Sequence, residues 1–451
     1  MKETIHIYHT NDLHSHFEQW PKIKRYLHEK KKDHSVHNET VFMFDIGDHA
    51  DRFHPLTEGT GGKGNIQLMN EIGYDAVTIG NNEGITFSYD ELSSMYRAAN
   101  FPVVVSNLFE LHGDRPKWTV PHIILESKTG FRLAVIGVTA YYEHFYEKLG
   151  WRVTPPMEEV EIELQRLKGQ YDGLVLLSHL GLADDEWIGS EYSQIDLILG
   201  GHTHHVLKQG KDVNGTLLGA AGKYGYFIGH MEIEISDDHK ILSKRAELIH
   251  TQDLPEEEGD QVYVHHYLYA GREKLSRQVT TLTHPLKSNW FDTSPLGQIL
   301  CQSIHEWTNA DCTMINAGLL MGDLEEGMVT RYDLHQLLPH PINPCVIELK
   351  GNELKEVLKQ SLNSDWTYYE LKGLGFRGKV FGTMLFHHVE FGSSINQVYV
   401  KGKEIEPNKT YRLGTIDMFT FGHFFPELQR AKKHYYMPEF LRDVLEESLK
   451  Y

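Results

Sequence analysis

Cysteine is scarce in this chain, and the few residues present form no paired motif. The three cysteines, Cys301, Cys312 and Cys345, are odd in number and include no C-x-x-C pair. This favours neither a disulfide framework nor a cysteine zinc site, so we expect free, buried thiols in a reducing compartment. Lys2 and Glu3 lead directly into an apolar stretch without a signal-peptide pattern, and no apolar run approaches membrane-spanning length. We therefore expect a cytoplasmic protein with no membrane partner.

Positive charge is also in short supply. The chain has 63 acidic against 44 basic side chains, and its formal net charge is −19. Such a surface argues against nucleic acid or an anionic membrane as an extended partner. It does not exclude a small phosphorylated substrate, because bound metal ions supply positive charge locally. No sequence feature indicates a protein partner.

Strand-like and helix-like patterns alternate through the first half, which predicts a layered α/β domain with antiparallel hairpins added later. An acidic, polar segment begins near Thr251, and a helical stretch follows it. At 451 residues the chain is too long for one ordinary core. We therefore expect a first domain over residues 1–252, a connecting helix over 253–279 and a second domain over 280–451. The predicted helices are Lys22–Lys31, Asn65–Ile72, Asp90–Ala99, Met157–Leu167, Leu296–Thr308, Leu354–Asn363 and Glu439–Leu449.

Five short polar segments each follow an apolar stretch typical of a buried strand. The segments are Asp12-Leu13-His14, Gly47-Asp48-His49-Ala50-Asp51, Gly80-Asn81-Asn82-Glu83, Ser178-His179 and Gly200-Gly201-His202-Thr203-His204. The strands before them are predicted at Ile5–Tyr8, Val41–Ile46, Ala76–Ile79, Leu174–Leu177 and Leu197–Leu199, and a further strand is predicted at Val103–Val105. Ligands collect beyond the carboxyl ends of mostly parallel strands, so five such ends can converge on one site. Their side chains suit Mn, Zn or Fe, and two such ions close together promote phosphoryl transfer.

Each segment by itself is a weak signal. The chain has 29 histidines, so a lone Asp-x-His is more often a surface or hydrogen-bonded histidine than a ligand. Gly-Asp-x-x-Asp is also ordinary, since both residues are common in turns. Two imidazoles in Gly-His-x-His are more specific, and five metal-compatible strand ends in chain order are hard to obtain by chance. Together they predict a site for two divalent metal ions.

The motifs resemble the calcineurin-like metallophosphoesterases, in particular the 5′-nucleotidase/2′,3′-cyclic phosphodiesterase family. The opening segment His9-Thr10-Asn11-Asp12-Leu13-His14 resembles the family's first motif. The stretch Asn65–Glu83 closely matches a later part of the family's sequence. The resemblance continues through Ser294-Pro295-Leu296-Gly297, Ala310-Asp311, Ile315-Asn316-Ala317-Gly318 and Pro339–Pro344. It implies an α/β fold in which a four-layer αββα sandwich is followed by a smaller α+β 5′-nucleotidase C-terminal domain that binds substrate.

Carried over position by position, the resemblance implies that seven side chains hold two metal ions. One ion is assigned to Asp12, His14, Asp48 and His204, and the other to Asp48, Asn81, His179 and His202. Asp48 would bridge them. A pair of cations held roughly 3.5–4 Å apart can activate a water for in-line attack on phosphorus. The implied reaction is hydrolysis of a phosphoester or pyrophosphate in a small metabolite, with a nucleotide favoured.

The sequence departs from the family at the one catalytic position that binds no metal. There the family normally has a histidine, followed three residues later by an aspartate that orients it, and this chain has Asn82 and Ile85. Asn82 can donate a neutral hydrogen bond to a phosphoryl oxygen but cannot supply a proton or a positive charge. Loss of a charged contact of this kind typically costs about 10²–10³ in rate. Either another residue, such as His49 or His54, takes over the role, or the enzyme is slow or differently specialised.

The second domain departs as well. The family's Asn-x-Gly-Gly-Ile-Arg motif appears as Asn316-Ala317-Gly318-Leu319-Leu320-Met321, without the arginine, and its Gly-Gly-Asp-Gly-Tyr motif appears as Phe421-Gly422-His423-Phe424-Phe425. Asn316 is retained as a candidate substrate contact. Phe376, Phe421 or Phe425 could stack on a base, although core packing is the more ordinary role for phenylalanine and is favoured here. Arg377, in a glycine-rich loop, is either a contact to a substrate anion or a solvated surface side chain.

Two functions remain open on this reading. The first is a two-metal phosphohydrolase acting on a small phosphorylated metabolite, favoured by the complete ligand set. The second is a weakly active or inactive protein that binds metal and a nucleotide or phosphate for regulation, favoured by Asn82, Ile85 and the altered second domain.

Overall fold

A computed structural model of the protein describes residues 3–394 and 396–450. The chain forms two compact units, Met1–Gly271 and Arg272–Tyr451, which confirms the two-domain architecture. The division falls inside the helix Asp260–Lys274, in the segment expected to connect the domains. The exact domain boundaries stay a prediction.

The first unit contains a sheet built around the N-terminal strand. Among the described residues its five strands, in spatial order, are Ile241–His250, Phe227–Ile235, Glu3–Thr10, Thr40–Asp45 and Ala76–Val77. The last three run parallel to one another, while Phe227–Ile235 pairs antiparallel with both of its neighbours. Three parallel strands therefore end at the same edge of this sheet.

A second sheet of the first unit has six strands within the described chain. In spatial order they are Lys211–Val213, Thr216–Gly219, Leu197–Gly200, Gly173–His179, Arg132–Thr139 and His122–Glu126. The four central strands are parallel, and the two outer ones are antiparallel additions. Side chains alternate across each strand, so Ile5 and Phe44 of the first sheet share a buried core with Val135 and Val175 of the second.

Helices cover the outer faces of both sheets. Trp20, Ile23 and Leu27 of the helix Trp20–Val36 are buried on the side of the first sheet, and Val160 and Ile188 pack on the outer face of the second. The helices described in this unit and its connector are Trp20–Val36, Pro55–Thr60, Lys63–Ile72, Asn81–Thr86, Tyr89–Tyr96, Glu143–Lys148, Pro156–Leu167, Leu182–Glu191 and Asp260–Lys274. This arrangement confirms the four-layer αββα sandwich.

The second unit is a smaller α+β structure with its own core. Its largest described sheet has the spatial order Met384–His387, Cys312–Asn316, Thr410–Ile416, Pro344–Lys350, Lys432–Tyr435. Smaller sheets pair Gln278–Leu282 with Gly327–Thr330, and join Val389–Phe391, Val398–Val400 and Lys403–Glu404. The described helices are Pro295–Thr308, Arg331–Leu337, Gly351–Gln360, Pro426–Arg430 and Leu441–Ser448.

Local differences from the sequence-based expectations concern short elements. Val103–Val105 is not a strand, because it forms only isolated bridges from Val103 to Val77 and from Val104 to Val120. The short strand Leu108–Glu110, which pairs with Trp151–Val153, was not anticipated, nor was the helix Leu182–Glu191, whose apolar spacing is irregular. Short segments take their structure from neighbours, and their own pattern is too brief to specify it.

The three cysteines are free and buried, as expected. Burial raises the pKa of the Cys312 thiol to about 12, so it stays protonated at neutral pH. Across the described residues, no helix combines the length and apolar character needed to cross a bilayer.

Candidate metal centre

The polar segments follow the carboxyl ends of five strands, three of them parallel in the first sheet and two parallel in the second. The backbones of these segments interlock. The Asp12 amide donates to the Gly47 carbonyl at 3.0 Å, and the His14 amide donates to the Asp48 carbonyl at 2.8 Å. Five of the seven predicted ligands have left-handed backbone angles: Asp12 (φ 51°), His14 (φ 49°), Asp48 (φ 52°), His202 (φ 71°) and His204 (φ 57°). Such angles are uncommon outside glycine and persist where the surrounding structure enforces them, as at functional sites.

Asp12, His14 and His204 form one cluster of candidate ligands. Asp12 Oδ1 lies 3.7 Å from His14 Nε2 and 3.4 Å from His204 Nε2. The two imidazole Nε2 atoms face each other at 3.1 Å. One ligand atom from each residue lies within 4.8 Å of the others, so the three could hold one ion together.

Asp48, His179 and His202 form the second cluster, again with ligand atoms within 4.8 Å of one another. Asn81 joins it, since its Oδ1 lies 2.7 Å from His202 Nδ1. The structure thus brings all seven predicted ligands together in the first unit, grouped as the resemblance implies.

Asp48 lies between the two clusters. Its Oδ2 is 3.6 Å from His14 Nε2 in the first cluster and 3.3 Å from His179 Nε2 in the second. Its other oxygen, Oδ1, accepts a hydrogen bond from the backbone amide of Asn82 at 2.7 Å. Oδ2 is therefore left directed toward both clusters. Asp12 Oδ1 also lies 4.0 Å from His179 Nε2, so both carboxylates face both sets of imidazoles.

His179 provides the test of whether these residues fit a metal ion. Its ring is fully buried, and its Nδ1 donates to the Ile46 carbonyl at 2.7 Å. Its Nε2 has no hydrogen-bond partner within residues 3–394 and 396–450, although it faces Asp48. A buried nitrogen without a partner is costly, and a cation between it and the carboxylate would remove that cost. The donor set of imidazole, carboxylate and amide oxygen fits a divalent transition metal.

The electrostatics of the site favour cations. Burial alone would raise the pKa of Asp12, but hydrogen bonds from His14 and His204 outweigh it and hold this pKa well below its usual range. Burial opposes but does not prevent a rise in the pKa of His14 to about 10 and of His179 to about 9, caused by the neighbouring carboxylates. Each ring therefore holds its second proton strongly, and a metal ion would compete with that proton for Nε2.

Glu83 holds the strand-end loops together, and the sequence reasoning assigned it no role. Its carboxylate accepts hydrogen bonds from the backbone amides of Asp48 at 2.9 Å, Ala50 at 2.8 Å and Gly80 at 2.9 Å. Burial and the nearby Asp48 raise its pKa to about 7. Its position three residues after Gly80, at the start of the helix Asn81–Thr86, has the spacing of a helix cap and could have indicated this role.

The Asn82 side chain turns back onto a predicted ligand. Its Nδ2 lies 2.8 Å from His14 Nδ1 and donates to Asp51 Oδ2 at 3.2 Å. Asp51 Oδ2 in turn lies 3.3 Å from His14 Nδ1, which orients the ring so that Nε2 points at the cluster. The predicted contact between Asn82 and a phosphoryl oxygen stays a prediction.

Of the two histidines considered as a substitute acid, His49 cannot supply the missing positive charge. His49 is buried against Trp20, and burial lowers its pKa to about 3, so it is neutral and cannot supply positive charge. His54 caps a helix, with Nδ1 accepting from the Leu56 amide at 3.1 Å.

Three of the five predicted substrate contacts in the second unit are buried. Asn316 is fully buried and donates to the Phe381 carbonyl at 2.6 Å. Phe425 is fully buried beside Trp366, and Phe376 is 4% exposed and stacks on His340. These side chains pack the core of the unit, which is the alternative to base stacking left open for Phe376 and Phe425.

Phe421 and Arg377 are more accessible. Phe421 is 37% exposed and lines a cavity of about 480 Å³ together with Tyr369, Lys372 and His423. The Arg377 amide donates to His340 Nδ1 at 2.9 Å, and its guanidinium donates to the Phe376 carbonyl at 3.4 Å. Phe421 is therefore the better placed of the predicted stacking residues.

Comparisons with known proteins agree with this architecture. Residues 5–206 match the calcineurin-like phosphoesterase family, and residues 277–424 match the 5′-nucleotidase C-terminal domain. The chain is 42% identical over 458 residues to the uncharacterized metallophosphoesterase YunD of Bacillus subtilis, covering 99% of each chain. The NAD nucleotidase NadN of Haemophilus influenzae has a similar fold, with a TM-score of 0.68 at 15% identity over 100% of this chain and 96% of that one. A 5′-nucleotidase precursor from Thermus thermophilus gives a TM-score of 0.60 at 18% identity over 99% and 96% of the two chains.

The fold and the motifs together place the protein among the metal-dependent hydrolases. The chain belongs to the calcineurin-like metallophosphoesterases that carry a 5′-nucleotidase C-terminal domain.

Proposed function

We propose that the protein is a dinuclear metal-dependent phosphohydrolase that cleaves a phosphoester or pyrophosphate bond in a small phosphorylated metabolite, with a nucleotide favoured. The observation that carries the proposal is the meeting of Asp12, His14, Asp48, His179, His202 and His204 in two clusters that face a shared carboxylate oxygen. The cytoplasmic location expected from the sequence remains part of the proposal.

The roles of the side chains follow from their positions. Asp12, His14 and His204 would hold one ion, and His179, His202 and Asn81 the other, with Asp48 Oδ2 directed at both. Two divalent ions, with Mn, Zn or Fe favoured, supply Lewis acidity and lower the pKa of water. Asp51 orients His14, and the Ile46 carbonyl orients His179. The buried carboxylates of Asp12 and Asp48 place negative charge next to both proposed metal positions.

Substrate recognition is proposed for the second unit. Its match to the 5′-nucleotidase C-terminal domain supports a nucleotide, and the cavity lined by Phe421, Tyr369 and His423 offers aromatic faces for a base. Lys372 lines the same cavity and could meet an anionic group. Arg377 stays a candidate for such a contact.

A second candidate function follows from Asn82. Its side-chain amide donates to Asp51 and lies against His14, and Ile85 cannot orient a catalytic histidine. A protein of this kind would bind metal ions and a nucleotide or phosphate tightly while turning it over slowly or not at all, which suits a regulatory role.

One assay separates the two functions. The purified full chain is loaded with Mn²⁺, Co²⁺ or Zn²⁺ and tested against a generic phosphodiester, a phosphomonoester and a panel of nucleotides and dinucleotides. We expect metal-dependent turnover that falls by at least about 10²-fold in Asp48→Asn, because the shared oxygen then loses its charge. His205→Gln is the matched control, since His205 neighbours His204 but lies in neither cluster.

Metal binding without turnover on any substrate would support the regulatory function, with Asn82→His as the gain-of-function control. Equal turnover in Asp48→Asn and the parent protein would contradict the dinuclear proposal.

A further inference from the structure

A second group of histidines lies on the outer face of the first sheet. Ile5 and Ile7 of the strand Glu3–Thr10 point into the sandwich core, so His6 between them points to the opposite face. His230 is on the adjacent strand, where it pairs with Tyr8. His34 lies in the last turn of the helix Trp20–Val36, and Glu39 in the connection to the next strand. Chain elements far apart in sequence thus place three imidazoles and a carboxylate together.

The ring nitrogen Nδ1 of His6 has a hydrogen-bond partner of the kind that orients metal-binding histidines. His230 Nδ1 lies 2.9 Å from Glu247 Oε1 and must donate its hydrogen to that carboxylate. His230 Nε2 then accepts from His6 Nδ1 at 3.1 Å. Metal-ligating histidines typically donate their second ring N–H to such a partner, which fixes the tautomer. In His6 the lone pair is therefore on Nε2.

That Nε2 is buried and lacks a hydrogen-bond partner in the described part of the chain. His6 is 7% exposed, and its Nε2 faces Glu39 Oε2 at 3.5 Å. A lone pair then points at a carboxylate oxygen, which is unfavourable unless a cation lies between them.

His34 completes the arrangement. Its Nδ1 lies 2.6 Å from Glu39 Oε2, and its Nε2 lies 3.0 Å from the Tyr8 hydroxyl. The Tyr8 hydroxyl can donate or accept, so His34 can transfer its proton to Nε2 and free Nδ1 as a ligand without losing the Tyr8 hydrogen bond. One ligand atom each of His6, His34 and Glu39 lies within 4.8 Å of the others. The two imidazole rings stack with 3.8 Å between their centroids, so the partly exposed His34 ring must tilt away from His6 for both lone pairs to meet one ion.

We propose that His6, His34 and Glu39 bind a third divalent transition-metal ion, of the zinc class, separate from the two clusters at the strand ends. Ligand atoms about 2.0–2.1 Å from a tetrahedral Zn²⁺ lie roughly 3.3 Å apart, and His6 Nε2 and Glu39 Oε2 are already 3.5 Å apart. Two imidazoles and a carboxylate leave a fourth position for water. The ion would tie the end of the first helix to the first strand. This inference does not depend on the catalytic proposal.

Zinc stoichiometry tests it. The full chain is stripped with a chelator and titrated with Zn²⁺ alone, and bound zinc is counted by mass spectrometry and calorimetry. We expect one equivalent fewer in His34→Gln and in Glu39→Gln than in the parent protein, whatever number the strand-end clusters take up. His37→Gln is the matched control, because His37 is an exposed histidine three residues further along and outside the group.

Glu247→Gln should keep the third equivalent of zinc but weaken its binding by about 10–100-fold. The substitution changes only the hydrogen-bond chain from Glu247 through His230 to His6. Glu39→Gln preserves side-chain shape at a partly exposed position, so it tests the site even if His34→Gln fails to fold. Unchanged stoichiometry in Glu39→Gln, or an equal loss in His37→Gln, would overturn the proposal.

Discussion

Several candidate ligands at the strand ends are held by residues outside the predicted ligand set. Asn11 Nδ2 donates to Asp12 Oδ2 at 2.8 Å, and the backbone amide of Asn82 donates to Asp48 Oδ1. Asp51 Oδ2 lies 3.3 Å from the Nδ1 atom of His14. These contacts set which lone pair of each side chain faces the cluster. We therefore expect residues outside the predicted ligand positions to contribute to metal affinity.

Asp51→Asn tests this at the scale of one residue. The change keeps the shape of the side chain but removes the charge that orients His14 and favours its Nε2 lone pair. We expect Mn²⁺ affinity to fall by about 10–100-fold, measured by calorimetric titration of the stripped protein. Asp212→Asn, in the outer hairpin of the second sheet, is the control and should bind Mn²⁺ normally. Equal affinity in both variants would show that Asp51 does not position His14.

At the scale of elements, the loops after the second and third strands approach each other very closely. Gly47 has a φ of +88°, and a Cβ at this position would lie 2.3 Å from the Gly80 amide nitrogen. Asp48 follows Gly47, and Asn81 follows Gly80, so this backbone contact brings two candidate ligands together. Glycine is required here both for its backbone angle and for the space.

Gly47→Ala should separate these two loops. Alanine in a left-handed conformation costs about 1–2 kcal/mol, and the overlap with the neighbouring backbone adds about 1–3 kcal/mol. Gly169→Ala is the matched control, because Gly169 has a φ of +79° but nothing within 4 Å of the added Cβ. Urea unfolding should show the larger loss of stability in Gly47→Ala, and Mn²⁺ binding should weaken only there. Similar losses in both variants would contradict the importance of the close approach.

At the scale of the whole molecule, metal binding should be linked to folding. The strand-end clusters join side chains separated by up to 192 positions, from Asp12 to His204, and they exist only when both sheets are formed. Ions that bind only the folded state stabilise it by mass action. The acidic chain, with a formal charge of −19, gains further from bound cations.

Stripping the metal should therefore lower the unfolding temperature. Adding Mn²⁺ at about 100 times its Kd is expected to restore about 2.7 kcal/mol, or about 5–10 °C for a unit of this size, in scanning calorimetry. Asp48→Asn should lose most of this response. If stripped and loaded parent protein unfold at the same temperature, selective cation binding to the folded unit is contradicted.

Much of the strand-end centre could be predicted because its residues follow apolar, buried strands. Strands such as Gly173–His179 and Thr40–Asp45 are buried and apolar, so their patterns are clear, and the predicted strands Leu174–Leu177 and Val41–Ile46 match their ends within a few residues. The roles of Glu83 and Asp51 were not predicted, because each depends on which backbone or ring atom a neighbouring loop presents. Phe425 could not be separated from an exposed stacking residue, since burial depends on the whole second unit.

The sequence by itself determined the layered α/β architecture and the residue types available for metal binding, because both follow from local periodicity and from side chains placed directly after strands. Only the tertiary structure decided that Asn82 turns onto His14, that Asp48 faces two clusters, and that His6, His34 and His230 meet on the opposite face of a sheet. The physical reason is that these contacts join distant segments, and the packing of sheets and helices sets their distances and directions.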